Sequence, residues 1–148
     1  MSDSLRKIKK VHPVIHARQA KVDRETAVLN AIKAEKQVIV ASMRAAQQKY
    51  MSGVGQLNTL RNATHRGAQE GLESGLDFVK DEWYRLFSAV QEAERKEKEQ
   101  ISVLLEAERD LKATEKLKER YETEHARDQA KADQKRMDEG ALRKYAET

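Results

Sequence analysis

The sequence predicts an all-α fold, a single long antiparallel two-helix coiled-coil hairpin. Three observations carry that expectation. Of the 148 residues, 36% are charged and only 5% aromatic, with a single proline and no cysteine; Ala, Glu, Lys, Leu, Arg and Gln dominate, the mixture of long helices. Five of the six glycines, Gly53, Gly55, Gly67, Gly71 and Gly75, fall in one central stretch. On either side, apolar residues recur at seven-residue spacing, a narrow stripe that suits a two-helix seam better than the broad face of a globular helix.

The first arm spans about residues 4–57. Its stripe runs Ile8, Ile15, Val22, Leu29, Met43, Tyr50 and Leu57, with Val11, Ile32, Ile39, Ala46 and Leu60 as companions three residues on. Lys36, Arg18 and Glu25 occupy seam positions, where polar insertions weaken packing and can fix register. Asp3 and Ser4 are candidate caps. Pro13 removes one backbone donor and implies a mild kink, or a later start capped by His12.

The connector is expected at about residues 53–75, because each glycine disfavours a helix interior by about 1 kcal/mol relative to alanine. The second arm, about 76–140, carries Leu76, Val79, Trp83, Leu86, Val90 and Ala93, then Ile101, Leu104, Ala107, Leu111, Leu117 and Tyr121, with Glu97 as an interruption. Asp77, Asp81 and Glu82 suit the amino end of a helix. Beyond Tyr121 the stripe thins to Ala126, Ala130 and Met137, so that end should be poorly buried by its own partner. Neither arm can bury its stripe alone, and the whole of 1–148 reads as one domain.

Charge supports pairing within the chain. Residues 1–50 hold 11 Lys and Arg against 4 Asp and Glu, whereas residues 77–148 hold 16 against 19. Opposite-sign arms favour each other over like-with-like dimers, although each exposed pair contributes only about 0–1 kcal/mol.

Function classes narrow quickly. Without cysteine there is no disulfide framework, zinc ribbon or thiol nucleophile. No stretch approaches the roughly 20 apolar residues of a membrane span, and the polar start MSDSLRKIKKVHP has no secretory apolar core, which implies a cytoplasmic protein. His12 and His16 share a helical face, but no third ligand completes a metal site. His65 falls in the connector and His125 on the second arm, without visible catalytic partners. Gly53-Val54-Gly55 has neither the lysine nor the strand of a phosphate loop. A two-helix hairpin offers no concave pocket to exclude water, so no enzyme activity, metal or cofactor is expected. The basic run Arg6, Lys7, Lys9, Lys10 could meet phosphate, yet no aromatic residues interleave to stack on bases; a protein-facing basic end is the better expectation, not nucleic acid. Phe78, Trp83, Tyr84 and Phe87 cannot all face one partner helix, and their surplus reads as a docking patch.

One segment is richer in letters than a solubilising tail needs. Asp133-Gln-Lys-Arg-Met-Asp-Glu139 places acidic and basic groups around one exposed methionine. It resembles the carboxy-terminal motif of the flagellar export stalk family FliJ and its injectisome counterparts of the YscO type, whose length and layout the chain also shares. The resemblance implies a non-catalytic central stalk of a type III export ATPase complex, cytoplasmic and held at the membrane-associated export apparatus only through partners. The end carrying both termini would insert into a hexameric export ATPase through Arg6, Lys7, Lys10, Gln134, Lys135, Arg136, Met137 and Asp138. The connector end would reach the cytosolic domain of the export gate protein through Leu72, Leu76, Phe78, Val79 and Trp83, and some members escort export chaperones. Gly140 departs from the pattern and should fray the helix just past the motif. Flagellum and injectisome are alternatives, the letters leaning to the flagellum, as are monomer and dimer. A free-standing coiled-coil adaptor or export chaperone without an ATPase partner is the competing function.

Overall fold

The computed structural model describes residues 3–63 and 66–147, and every one of them is helical. Helix α1 spans Asp3–Ala63 and α2 spans Arg66–Glu147. The two pack against each other as an all-α helical hairpin.

The seam on each helix follows the seven-residue repeat. On α1 the residues withdrawn from solvent run from Ser4 and Ile8 to Leu57 and Leu60 in alternating steps of four and three, and Arg18, Glu25 and Lys36 keep their places in the row. On α2 the row runs from Gln69 to His125. Here the structure corrects two expectations. Glu97 does not interrupt the seam but occupies it, and Gln100, not Ile101, follows; Ile101 is exposed. Counting on from Glu97 by three and four keeps the repeat in phase, and apolarity at Ile101 does not outweigh the register that its neighbours impose. Buried Thr114 and half-buried Lys118 fill two further positions beside Leu117.

Helix also continues through glycines that composition assigned to the connector. The helices run through all the central glycines, and only Thr64 and His65 lie outside the described residues between them. Propensity is a weak prior, and packing of the seam on both sides overrides it. Asp77, Asp81 and Glu82 therefore lie well inside α2, beyond the reach of its N-terminal dipole. Pro13 sits within continuous α1, and α2 continues past Gly140 without fraying there. Ser4 belongs to the helix and directs its side chain across the seam.

The chain divides into two compact units. In the unit formed by Thr26–Val103, Lys36 Nζ lies 3.1 Å from Glu97 Oε2 inside the seam, and Tyr50 packs on Trp83 with ring centroids 5.7 Å apart. Gln69 Nε2 donates to the Leu60 carbonyl at 3.0 Å, occupying one of the carbonyls that the end of α1 leaves without an intrahelical partner. Arg61, in the last turn of α1, meets Glu73 at 3.5 Å. On the outer surface Arg95 bridges Glu92 and Glu99, and its hydrogen bond holds the Glu92 carboxyl below the usual range.

In the unit formed by α1 up to Glu25 and α2 from Leu104, Val11, Ala107 and Leu111 supply the buried apolar contacts. Two polar layers stand among them. Arg18 Nη1 donates to the Asp110 carbonyl at 2.9 Å and to the Thr114 hydroxyl. Ser4, only 4% exposed, stands 3.1 Å from His125 Nδ1 and 3.5 Å from Asp128 Oδ2.

Candidate functional site

The start of α1 lies opposite α2 at His125 and Asp128, and from Asp133 to Glu147 every residue of α2 is exposed. That stretch, roughly 22 Å of helix at about 1.5 Å per residue, contains the whole polar cluster. Met137 is 69% exposed, a bare apolar side chain amid charges. Gln134 Nε2 donates to Asp138 Oδ1 at 3.1 Å, and Arg136 pairs loosely with Asp133 at 3.9 Å. These pairs are three and four residues apart along one helix, so each adds only a few tenths of a kcal/mol and opens readily toward a partner.

Arg6, Lys7 and Lys10 are exposed on the facing stretch of α1. Lys7 Nζ stands over the Tyr121 ring at 5.3 Å, a cation–π contact that fixes its stem against α2. The basic residues thus flank α2 near Tyr121, while Gln134 to Asp138 lie about 9 Å or more beyond Asp128 along the helix. They belong to one unit but form two successive bands, not one constellation. Leu142 and Tyr145, 69% and 84% exposed, extend the exposed apolar surface past the motif. The sequence signal that could have found them is their continuation of helical spacing beyond Gly140, which the expected fraying obscured.

The second candidate set divides between core and surface. Leu72, Leu76, Val79 and Trp83 belong to the seam, with Leu76 only 8% exposed. Gly53 lies directly against it, and a Cβ there would overlap Leu76 Cδ2. Gly53 and Gly75 line a shallow groove of about 660 Å³, whose floor is the edges of Leu72, Leu76 and Val79 and whose rim includes Gln48, Lys49 and Gln56. Phe78, three residues on from Gly75 and 71% exposed, stands on the same side of α2 as the groove. Tyr84 and Phe87 are exposed on a different face, and Trp83 is held between Tyr50 and Tyr84. The aromatic cluster is therefore one outward Phe at the groove and one packed Trp beneath the seam.

The Ser4, His125 and Asp128 grouping has the residue types of a hydrolytic triad without its order. In a triad the carboxylate holds the imidazole nitrogen far from the serine. Here His125 and Asp128 both meet the same Ser4 oxygen, which is not the serine–imidazole–carboxylate order of a triad. His12 and His16 are exposed, and among the described residues no group of three His, Cys, Asp or Glu is gathered as a metal site. No helix among the described residues is long and apolar enough to cross a membrane.

A family model described as "Flagellar FliJ protein" matches residues 8–148. The chain belongs to the FliJ family. No curated protein and no solved structure matches the sequence. FliJ membership associates the chain with flagellar type III export, and the match covers both the exposed terminal cluster and the groove at Gly53. The match begins at Ile8, so of the basic residues opposite Tyr121 it takes in Lys10 but not Arg6 or Lys7.

Proposed function

We propose that this FliJ-family chain is the central stalk of the flagellar export ATPase, cytoplasmic and attached to the export apparatus only through partners. The observation that carries the proposal is the bare terminal part of α2. It holds the family-like cluster Asp133 to Glu139, withdrawn from any seam and open on all sides. Gln134, Lys135, Arg136, Met137 and Asp138 would meet the inner surface of a hexameric ATPase, with Arg6, Lys7 and Lys10 as a second, basic band. An asymmetric helix pair inside a ring cannot contact all subunits equally, and it would bias them into different states.

The groove at Gly53 supports a second contact. Leu72, Leu76 and Val79 offer an apolar floor, Phe78 a protruding anchor and Trp83 a rigid support, which together suit the cytosolic domain of the export gate protein. Export chaperones would be further partners. The free-standing adaptor has no specific observation in its favour, since a generic hairpin depends on its seam and not on an exposed polar end.

The test is the hydrolysis rate and oligomeric state of the cognate export ATPase with and without the chain. Faster turnover with more hexamer is the expected result. No effect and no co-elution would leave the adaptor as the better account.

A further inference from the structure

In the unit Thr26–Val103 the seam has two flanks, and they carry charge differently. Lys36 bonds to Glu97 and Tyr50 packs on Trp83, so the residues just before each of them, Glu35 with Lys96 and Lys49 with Glu82, come opposite one another beside those two layers. Glu35 and Lys96 line one depression together, and Lys49 and Glu82 follow two repeats further along the same rows. Both pairs are of opposite sign, so this flank is neutralised across its own seam.

The other flank is not. There α1 contributes Lys33, Val40, Gln47 and Val54, each one place after a seam residue. By the same rule α2 contributes Lys80, Phe87, Glu94 and Ile101. Val54 and Lys80 line one depression together, which puts both rows on one side. Residues four places on, Arg44 and Met51 from α1 and Tyr84 and Lys98 from α2, form the rims. The strip thus holds four cations, Lys33, Arg44, Lys80 and Lys98, against the single carboxylate of Glu94. Among the described residues Lys33, Arg44 and Lys98 pair with no carboxylate, and Lys80 stands over the Tyr84 ring at 5.8 Å. Like charges gathered on one strip repel, a cost that the hairpin does not relieve by itself. Between them Val40 is half-buried, and Met51, Tyr84, Phe87 and Ile101 are exposed apolar surface. Toward the connector the strip ends at Asp77 and the Arg61–Glu73 pair, where positive charge no longer dominates.

We propose that this basic flank binds an amphipathic helix with acidic edges, supplied by a partner protein. The apolar stripe of that helix lies on Val40 and Phe87, and its carboxylates meet Lys33, Arg44, Lys80 and Lys98. Two features select a helix. The rows repeat every seven residues, the period of a helical apolar stripe, so a third helix interlocks with them as the first two interlock with each other. The strip also runs from Lys33 to Met51, about 27 Å at 1.5 Å per residue, the length of about five helical turns. A nucleic-acid backbone fits less well, because apolar groups and Glu94 separate the cations. The groove at Gly53 is lined by Lys49 and Gly75 on the neutralised flank, so the basic flank is a further contact and does not depend on the stalk reading.

The lone tryptophan reports on this surface, because Trp83 stacks on Tyr84 with ring centroids 6.0 Å apart. The probes are two synthetic peptides of about 18 residues with leucine along one helical face, one completed with glutamate and the other with lysine. With the full chain, the glutamate peptide is expected to change Trp83 emission saturably, with an affinity that falls as salt rises. The lysine peptide should bind about tenfold or more weakly. Lys33→Glu with Lys98→Glu should weaken the glutamate peptide by about tenfold or more, whereas Arg85→Glu with Lys96→Glu, an equal change of charge off this flank, should leave it within about twofold. All four positions are exposed, so the hairpin is retained. Equal loss in both double variants, or equal binding of the two peptides, would overturn the proposal. So would tighter binding of duplex DNA than of the glutamate peptide at the same salt, or a dimer of the chain that Lys33→Glu with Lys98→Glu dissolves, which would assign the flank to a second copy.

Discussion

Gly53 and Met137 are two single positions at which the local surroundings decide the outcome of a substitution. A methyl group at residue 53 would overlap the Leu76 side chain, whereas one at Gly71 meets nothing within 4 Å. Gly71→Ala is thus expected to stabilise by about 0.5–1 kcal/mol through helix propensity. Gly53→Ala sets the same gain against overpacking on Leu76 that costs about 1–3 kcal/mol; paired thermal melts should show shifts of opposite sign. At the terminal cluster, Lys135→Ala with Arg136→Ala removes two exposed cations and no buried contact. Far-UV circular dichroism should hardly change while ATPase stimulation falls; undiminished stimulation would remove these residues from the proposed contact.

On the scale of the helices, the seam and its polar layers make separable contributions. Leu29 is 7% exposed, and Leu29→Asp would bury an unpaired carboxylate, destabilising by about 3–5 kcal/mol. Denaturant titration should show an early loss of helicity. The layer of Lys36 and Glu97 is half-withdrawn from solvent and 3.1 Å apart. Replacing both with leucine should leave stability unchanged or raise it by about 1–4 kcal/mol, whereas Lys36→Leu alone lowers it by stranding Glu97. Much of this was legible in the letters, because a strict repeat predicts which residues meet: every seam position expected on α1 from Ile8 to Leu60 is withdrawn from solvent. The failures have physical causes. Ile101 is apolar but out of phase, and the glycine-rich interval reads as a turn only while its packing neighbours are unknown. Ser4, His125 and Asp128 are too far apart in sequence for any local pattern to join them.

For the molecule as a whole, stability and partner binding should be carried by different parts of the chain. Among the described residues, ending the chain after Ala132 removes only exposed ones, so the melting temperature of the remaining hairpin is expected to stay within a few degrees of the full chain while ATPase stimulation is lost. A matching drop in melting temperature would mean that the terminal segment contributes to the hairpin after all. The terminal cluster could be found in the sequence by its resemblance to the family motif. Its exposure followed from the thinning stripe, although Ala126, Ala130 and Met137 prove to face away from the seam. Leu142 and Tyr145 escaped notice because Gly140 masked the helix that carries them.

The bare end of α2 also has a kinetic side. A helix segment of about 15 residues with no packed face is marginal in water, since its hydrogen bonds barely offset the loss of chain freedom. Backbone amides from Asp133 to Glu147 should therefore exchange with deuterated solvent orders of magnitude faster than those around Ala107, which is 2% exposed. Any partner that grips this end must supply the ordering free energy itself, so binding should be read most sensitively as slowed exchange confined to those amides.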